Sequence, residues 1–143
     1  MKIKSVVIAG AGTMGYSMAQ IFARFGYEVT IYDVSKKALE NARSCIQKNV
    51  ETLVHQGELS EDRALELTGR LAYTDEKECF TACDIVIESI IEKLEIKKRF
   101  YEEISRIVRE DTILATNTSG LSVNAIASVV HIPERFIGMH WFN

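Results

Sequence analysis

Val6-Val7-Ile8-Ala9-Gly10-Ala11-Gly12-Thr13-Met14-Gly15 sets an apolar run directly against the pattern G-x-G-x-x-G. A strand that ends in this pattern predicts a dinucleotide site. Gly10 makes the tight turn, Gly12 lets bare backbone approach a diphosphate, and Gly15 lets the following helix pack closely. The first helical turn, with Thr13 and Met14, then presents unpaired N–H groups and the positive end of the helix dipole to the anion, so no lysine or arginine is required there. Met18, Ile21, Phe22 and Phe25 recur at helical spacing after the glycines, and Gly26 ends that helix. Val29, Ile31 and Tyr32 form a second apolar strand that stops at Asp33. An acid at that position accepts hydrogen bonds from the adenosine ribose hydroxyls and repels a 2′-phosphate, which favours NAD over NADP. The nearby cations Lys36 and Lys37 temper that preference.

The whole 143-residue chain is consistent with one domain built on its own core, since 47% of it is hydrophobic. Seventeen lysines and arginines against 20 aspartates and glutamates give a formal charge of −3. That balance offers no basic field for nucleic acid or an anionic membrane, so any bound anion must be held locally. No apolar run approaches the ~18 residues of a membrane span. Lys2 and Lys4 before Val6-Val7-Ile8-Ala9 imitate a secretory leader, but the apolar run is too short and the turn explains the glycines better. Cys45, Cys79 and Cys83 form an odd set. They read as reduced thiols of a cytoplasmic protein; Cys79 and Cys83 together would supply only two metal ligands, and no metal site is expected.

Beyond Asp33, Ser35 caps a long helix whose Leu39, Ala42, Ile46, Val50 and Leu53 form an apolar stripe ending near Gly57. Ser60 caps a second helix with Glu61 and Asp62 in its first turn, Leu65 and Leu67 as apolar contacts, and Gly69 at its close. Residues 35–70 therefore read as a helical hairpin, larger than a simple crossover requires. Short apolar strands follow at 71–74, 84–88 and 112–116, with another over 135–140. Between them lie an amphipathic helix from Leu94 to Val108, its Glu, Lys and Arg side chains outward, and a short helix capped by Ser122. Strands alternate with helices throughout, which predicts an α/β fold with a doubly wound, mainly parallel sheet. Its ligands belong in the crevice beyond the strands' C-terminal ends.

That rule selects Gly10, Asp33, Glu88, Asn117, Ser119 and His140. Oxidation of an alcohol by a nicotinamide needs a base for the hydroxyl proton, and a neutral imidazole suits the task. His55 falls on the polar side of the long helix and His131 in a loop beside Pro133, whereas His140 follows a buried strand. Strand-end position alone leaves His140 either structural or catalytic. It likewise leaves Asn117, Thr118 and Ser119 as either a capped turn or hydrogen-bonding partners of a ribose, amide or substrate oxygen.

GAGTMG at 10–15, Asp33, DIVIESIIEKLEIKK at 84–98, TNTSGLS at 116–122 and RFIGMHWFN at 135–143 appear in one order across essentially the whole chain. In these segments the chain resembles the L-3-hydroxyacyl-CoA dehydrogenase family, particularly the 3-hydroxybutyryl-CoA dehydrogenases. The resemblance implies an NAD-binding Rossmann-type domain over 1–143. It makes His140 the catalytic base, gives Ser119 a hydrogen bond to the substrate's 3-oxygen, and has Asn117 and Asn143 arrange the cofactor or active site. Glu92 and Lys97 match positions near the nicotinamide half of NAD; without the resemblance they would read as an exposed charge pair of little weight. The helical hairpin matches the surface for acyl-CoA, with Asn49 and Gln56 at contact positions. Gln56 departs from the lysine common there, and Lys48 is close enough in sequence to compensate partly.

The resemblance also implies features downstream of Asn143: a glutamate paired with the catalytic histidine, and a helical domain that closes the cleft and forms a homodimer. The 143 residues alone are accordingly expected to bind NAD with little turnover. Fatty-acid metabolism is the implied setting. Two other readings share the fold: a non-catalytic NAD-responsive module, and a dehydrogenase of free hydroxy or sugar acids.

Overall fold

The computed structural model describes residues 2–142. β1 (Ser5–Ala9) lies at the centre of a six-stranded sheet, flanked on one side by β2 (Glu28–Tyr32) and then β3 (Leu71–Thr74). On its other side stand β4 (Ile85–Glu88), β5 (Ile113–Thr116) and β6 (Phe136–Gly138), giving the order β3-β2-β1-β4-β5-β6. Every pairing is parallel, so the expectation of a mainly parallel sheet becomes a wholly parallel one over the described strands. The chain winds outward from β1 in one direction and returns to build in the other. The C-terminal ends of β1 and β4 consequently diverge into a crevice where the strand order reverses.

Among the described residues, five α-helices cover the sheet: α1 (Thr13–Arg24), α2 (Lys36–His55), α3 (Glu61–Gly69), α4 (Leu94–Ile107) and α5 (Val123–Ala127). Three begin as their sequences require, because the side-chain oxygens of Ser35, Ser60 and Ser122 accept the N–H groups of Ala38, Arg63 and Ala125 at 3.2, 3.3 and 3.2 Å. Alternate residues of β1 face opposite layers. Val6 and Ile8 pack with Met18, Ala19, Ala42, Ile46 and Leu67 on the side of α1–α3. Val7 and Ala9 pack with Phe80, Tyr101, Ile104 and Ile126 on the side of α4 and α5.

Apolar spacing overstated two helices. Phe25 and Leu65 are 76% and 71% exposed. The buried face of α1 keeps the expected Met18 and adds Gly15, Ala19, Gln20 and Ala23, whose mostly small side chains bring the helix close to the sheet. A 3-10 turn over Lys77–Phe80, absent from the sequence reading, buries Phe80. The larger correction concerns α4: its outward charged face does not include Lys97, which is buried.

β4 begins one residue later than expected because Asp84 serves as a fastener below it. Its carboxylate accepts the N–H groups of Lys4 and Ser5 at 2.8 and 2.9 Å and pairs with the Arg109 guanidinium at 2.9 Å. The Ser5 N–H, then Arg109, then the Lys4 N–H hold this carboxyl well below the usual carboxylate range. A carboxyl depressed by folding contributes stability above its unfolded pKa, and loses it as pH falls toward the folded value. Asp84→Asn is therefore expected to be less stable than the parent at pH 7, with the difference shrinking as pH drops below about 4. Urea denaturation at a series of pH values checks this; a difference that stays constant with pH would contradict it.

β6 is shorter than the predicted 135–140. After the Met139 N–H bonds to the Thr116 carbonyl at 2.9 Å, the chain leaves the sheet and the Trp141 N–H turns to the Asn117 side-chain oxygen at 2.8 Å. Burial pushes the Cys79 and Cys83 thiols up to about 11 and about 12, so both remain protonated at neutral pH. No described helix is long and apolar enough to cross a membrane.

Candidate functional site

The turn after β1 is built on glycine for two different reasons. Gly10 has φ of +111°, and a Cβ there would strike the Ser89 carbonyl beyond β4. At Gly15 a Cβ would run into the Gly10 carbonyl. Gly12, by contrast, has nothing within 4 Å of where a Cβ would sit. It is the N-cap of α1, contributes no side-chain cap, and accepts the first helical bond from the Tyr16 N–H at 3.0 Å. The N–H groups of Thr13, Met14 and Gly15 precede that bond and have no intrahelical partner. An open space above uncapped donors at a helix N-terminus suits a diphosphate.

Asp33 stands at the end of β2 with both oxygens fixed. Oδ2 accepts the Ala11 N–H and Oδ1 accepts the Ser35 N–H, each at 2.9 Å. Since every carboxylate oxygen has a further lone pair, Asp33 can still accept from a vicinal diol. A cleft of about 570 Å³ opens here, lined by Gly10, Gly12, Asp33, Val34, Ile91 and Ile96 among others. Its apolar walls and polar rim fit an adenosine. A larger concavity of about 750 Å³ lies between α2, α3 and β3, bordered by Arg43, Glu51, His55 and Tyr73. None of Gly10, Asp33, Glu88, Asn117, Ser119 or His140 lines that one.

On the other side of the crevice, a polar network occupies the ends of β4 and β5. Glu88 and Lys97 are 0% and 1% exposed, with Lys97 Nζ 2.5 Å from Glu88 Oε1. Glu88 also accepts the Ile90 N–H at 2.8 Å and the Thr116 hydroxyl at 2.7 Å. Lys97 Nζ reaches Glu92 Oε2 at 3.0 Å, and Glu92, 41% exposed, accepts a hydrogen bond from the Thr118 hydroxyl. Partial burial pushes the Glu92 carboxyl up, but the Thr118 hydroxyl, the Lys97 ammonium and the Gly120 N–H outweigh it and hold the group below its ordinary value. Beneath the network, the fully buried Tyr101 hydroxyl donates to the Ala115 carbonyl at 2.8 Å. Burial and the Glu88 charge keep it a neutral phenol.

Asn117 joins three loops. Its N–H donates to the Glu88 carbonyl at 2.8 Å, its side-chain NH₂ to the Ser89 hydroxyl at 3.3 Å, and its side-chain oxygen accepts the Trp141 N–H. The segments after β4, β5 and β6 are thereby drawn together beside Gly10. Ser119 lies exposed in the second segment. His140 lies exposed in the third, its ring edge-on to Phe142 with centroids 4.3 Å apart. Asn143 lies outside the described residues. Asn49 and Gln56 do not join this group. The Asn49 side chain donates to Gln20 of α1 at 3.1 Å, and Gln56 forms the C-cap of α2. Sequence reasoning placed Glu88 at a strand end but missed its ion pair, because Lys97 sits on a different element nine residues later.

Comparison with known proteins places this geometry in context. Residues 5–143 match the family model for the 3-hydroxyacyl-CoA dehydrogenase NAD binding domain. A probable 3-hydroxybutyryl-CoA dehydrogenase of Bacillus subtilis (strain 168) is 36% identical over 143 residues, covering all of this chain and 50% of the relative. The crystal structure of 3-hydroxybutyryl-CoA dehydrogenase from Escherichia coli K12 superposes with a TM-score of 0.97 at 34% identity, over 100% of this chain and 30% of that one. A 5-formyl-3-hydroxy-2-methylpyridine 4-carboxylate 5-dehydrogenase of Mesorhizobium japonicum is 35% identical, over 99% of this chain and 45% of its own length. The chain thus spans half or less of the length of these relatives.

Proposed function

Because the chain belongs to the 3-hydroxyacyl-CoA dehydrogenase family as its NAD-binding domain, we propose that the protein interconverts (S)-3-hydroxyacyl-CoA and 3-oxoacyl-CoA. The observation that carries this reading is the Asn117 junction, which gathers the Ser89, Ser119 and His140 segments onto the crevice that Gly10 opens. NAD, when bound, supplies the hydride acceptor. The Gly12–Gly15 turn holds the diphosphate, and Asp33 accepts from the adenosine ribose. Asn117, Glu92, Lys97 and Asn143 order the nicotinamide half. Ser119 donates a hydrogen bond to the substrate's 3-oxygen, which fixes that carbon toward the cofactor.

His140, as a neutral imidazole, takes the proton of the 3-hydroxyl; in the reverse direction its imidazolium returns it. Asn49 and Gln56 contact the CoA portion from the hairpin. The His140 ring lies edge-on to Phe142; in this reading a carboxylate from a further segment orients the imidazole, and without it turnover is expected to be slow. In the parent enzyme a further helical domain would close the cleft and pair two copies.

His140→Ala is expected to reduce NADH oxidation by a short 3-oxoacyl-CoA about a hundredfold or more in the parent enzyme, or to remove the residual rate in this chain. Its NADH affinity, read by fluorescence titration, should stay within about twofold because the diphosphate and ribose contacts remain. Unchanged turnover would instead favour a binding module in which His140 is structural. A second substrate class has one observation in its favour: the Mesorhizobium relative is named for a pyridine carboxylate, not a CoA ester. Comparing a 3-oxoacyl-CoA with free oxo acids in the same assay separates the two.

A further inference from the structure

A dinucleotide bound where the strand order reverses lays one half on each side of the crevice. Asp33 and the apolar cleft take the adenosine side, so the nicotinamide half belongs over the ends of β4 and β5, where Glu88, Lys97 and Glu92 meet. Two carboxylates there surround one ammonium. The cluster carries a formal charge of −1, and its inner pair is sealed from water. Glu88 has no remaining freedom to turn away: one oxygen is held by Lys97 and the Ile90 N–H, the other by the Thr116 hydroxyl.

Nicotinamide changes charge as well as structure between its two forms. The oxidised ring is a cation and the reduced ring is neutral. A fixed negative field beside the ring therefore acts on one form and hardly on the other. Resting on the cofactor reading above, we infer that the Glu88–Lys97–Glu92 cluster tunes the site electrostatically, strengthening binding of NAD+ relative to NADH. Glu88 in this role is a positioning and field-setting residue that acts through Lys97 and by its own charge, without touching substrate.

The assignment predicts a change in a ratio, which distinguishes it from a merely structural role. Glu88→Gln keeps the side chain's shape and its capacity to accept the Ile90 N–H, while removing one negative charge. The ratio Kd(NADH)/Kd(NAD+), obtained by calorimetric titration of the purified chain with each form, is expected to fall about tenfold, as a unit charge within roughly 10 Å at an effective dielectric near 20 would produce. Glu92→Gln removes a charge from a partly exposed and more screened position, so a fall of about threefold is expected. That variant decides the matter if Glu88→Gln does not fold. Glu110→Gln alters the net charge equally at an exposed position after α4, and its ratio should match the parent.

Affinities for both forms that drop together in the two test variants, leaving the ratio unchanged, overturn the inference and leave the cofactor reading intact. A ratio that shifts equally in Glu110→Gln also overturns it, since the effect would then be one of overall charge. A parent chain that binds neither form overturns both readings.

Discussion

Lys97→Ala is expected to lower the unfolding free energy by about 3–5 kcal/mol, the usual consequence of removing one member of a buried ion pair. The truncated side chain leaves the Glu88 carboxylate, 0% exposed, with only the Ile90 N–H and the Thr116 hydroxyl. Neither partner carries a charge to replace the ammonium. Water cannot compensate either, because the pair is enclosed between β4, β5 and α4. Urea denaturation at pH 7 gives the difference directly. The double change Glu88→Gln with Lys97→Met should recover most of it, since two uncharged side chains of similar volume no longer require desolvated charges to match. A loss below about 1 kcal/mol for Lys97→Ala would mean that the pair is solvated as surface pairs are.

The two glycines of the first turn are expected to fail in opposite ways. Gly12→Ala should cost about 1 kcal/mol or less in stability, because Gly12 has a negative φ of −70° and open space where the methyl would sit. Its NADH affinity should nevertheless fall about a hundredfold. The methyl occupies the approach path of the diphosphate and displaces it from charge-assisted N–H bonds worth about 1.5–3 kcal/mol each. Gly15→Ala should instead destabilise the fold by about 3 kcal/mol, at the upper end of ordinary overpacking, because the added carbon meets backbone that cannot rotate away. Thermal unfolding and NADH titration of the two variants read the contrast. Equal losses of stability in both would refute the distinction between a position kept open for a ligand and one kept bare for packing.

Where local chemistry settles conformation, the sequence was readable. Ser35, Ser60 and Ser122 cap the helices they announce, the G-x-G-x-x-G turn follows β1, and alternation of apolar runs yields the parallel sheet. The strand-end rule likewise singles out Gly10, Asp33, Glu88 and Asn117 from the sequence. Long-range pairing was not legible in the same way. Helical periodicity assigns a lysine outward unless its counter-ion is known, and Glu88 belongs to a strand rather than to α4. Phe25 and Leu65 went astray for the converse reason: periodicity counts apolar residues without knowing how closely a helix approaches its sheet. Asn117's three simultaneous bonds also depend on the register of β4, β5 and β6, which no single segment contains.

Beneath the sheet, the rings of Tyr32, Phe80, Phe100, Tyr101 and Phe136 follow one another edge-to-face, with centroids 4.9, 5.8, 5.1 and 4.9 Å apart. Tyr32 immediately precedes Asp33 and Phe136 opens the strand leading to His140, so this row works as a ruler between the two flanks of the crevice. Aromatic contacts of this kind resist both compression and splaying. The span from ribose anchor to the strand that precedes the imidazole is thus set by packed rings, of which Tyr32 and Phe100 border the cleft and the others lie below it, leaving the loops above free to differ in chemistry while the gauge of the site is preserved.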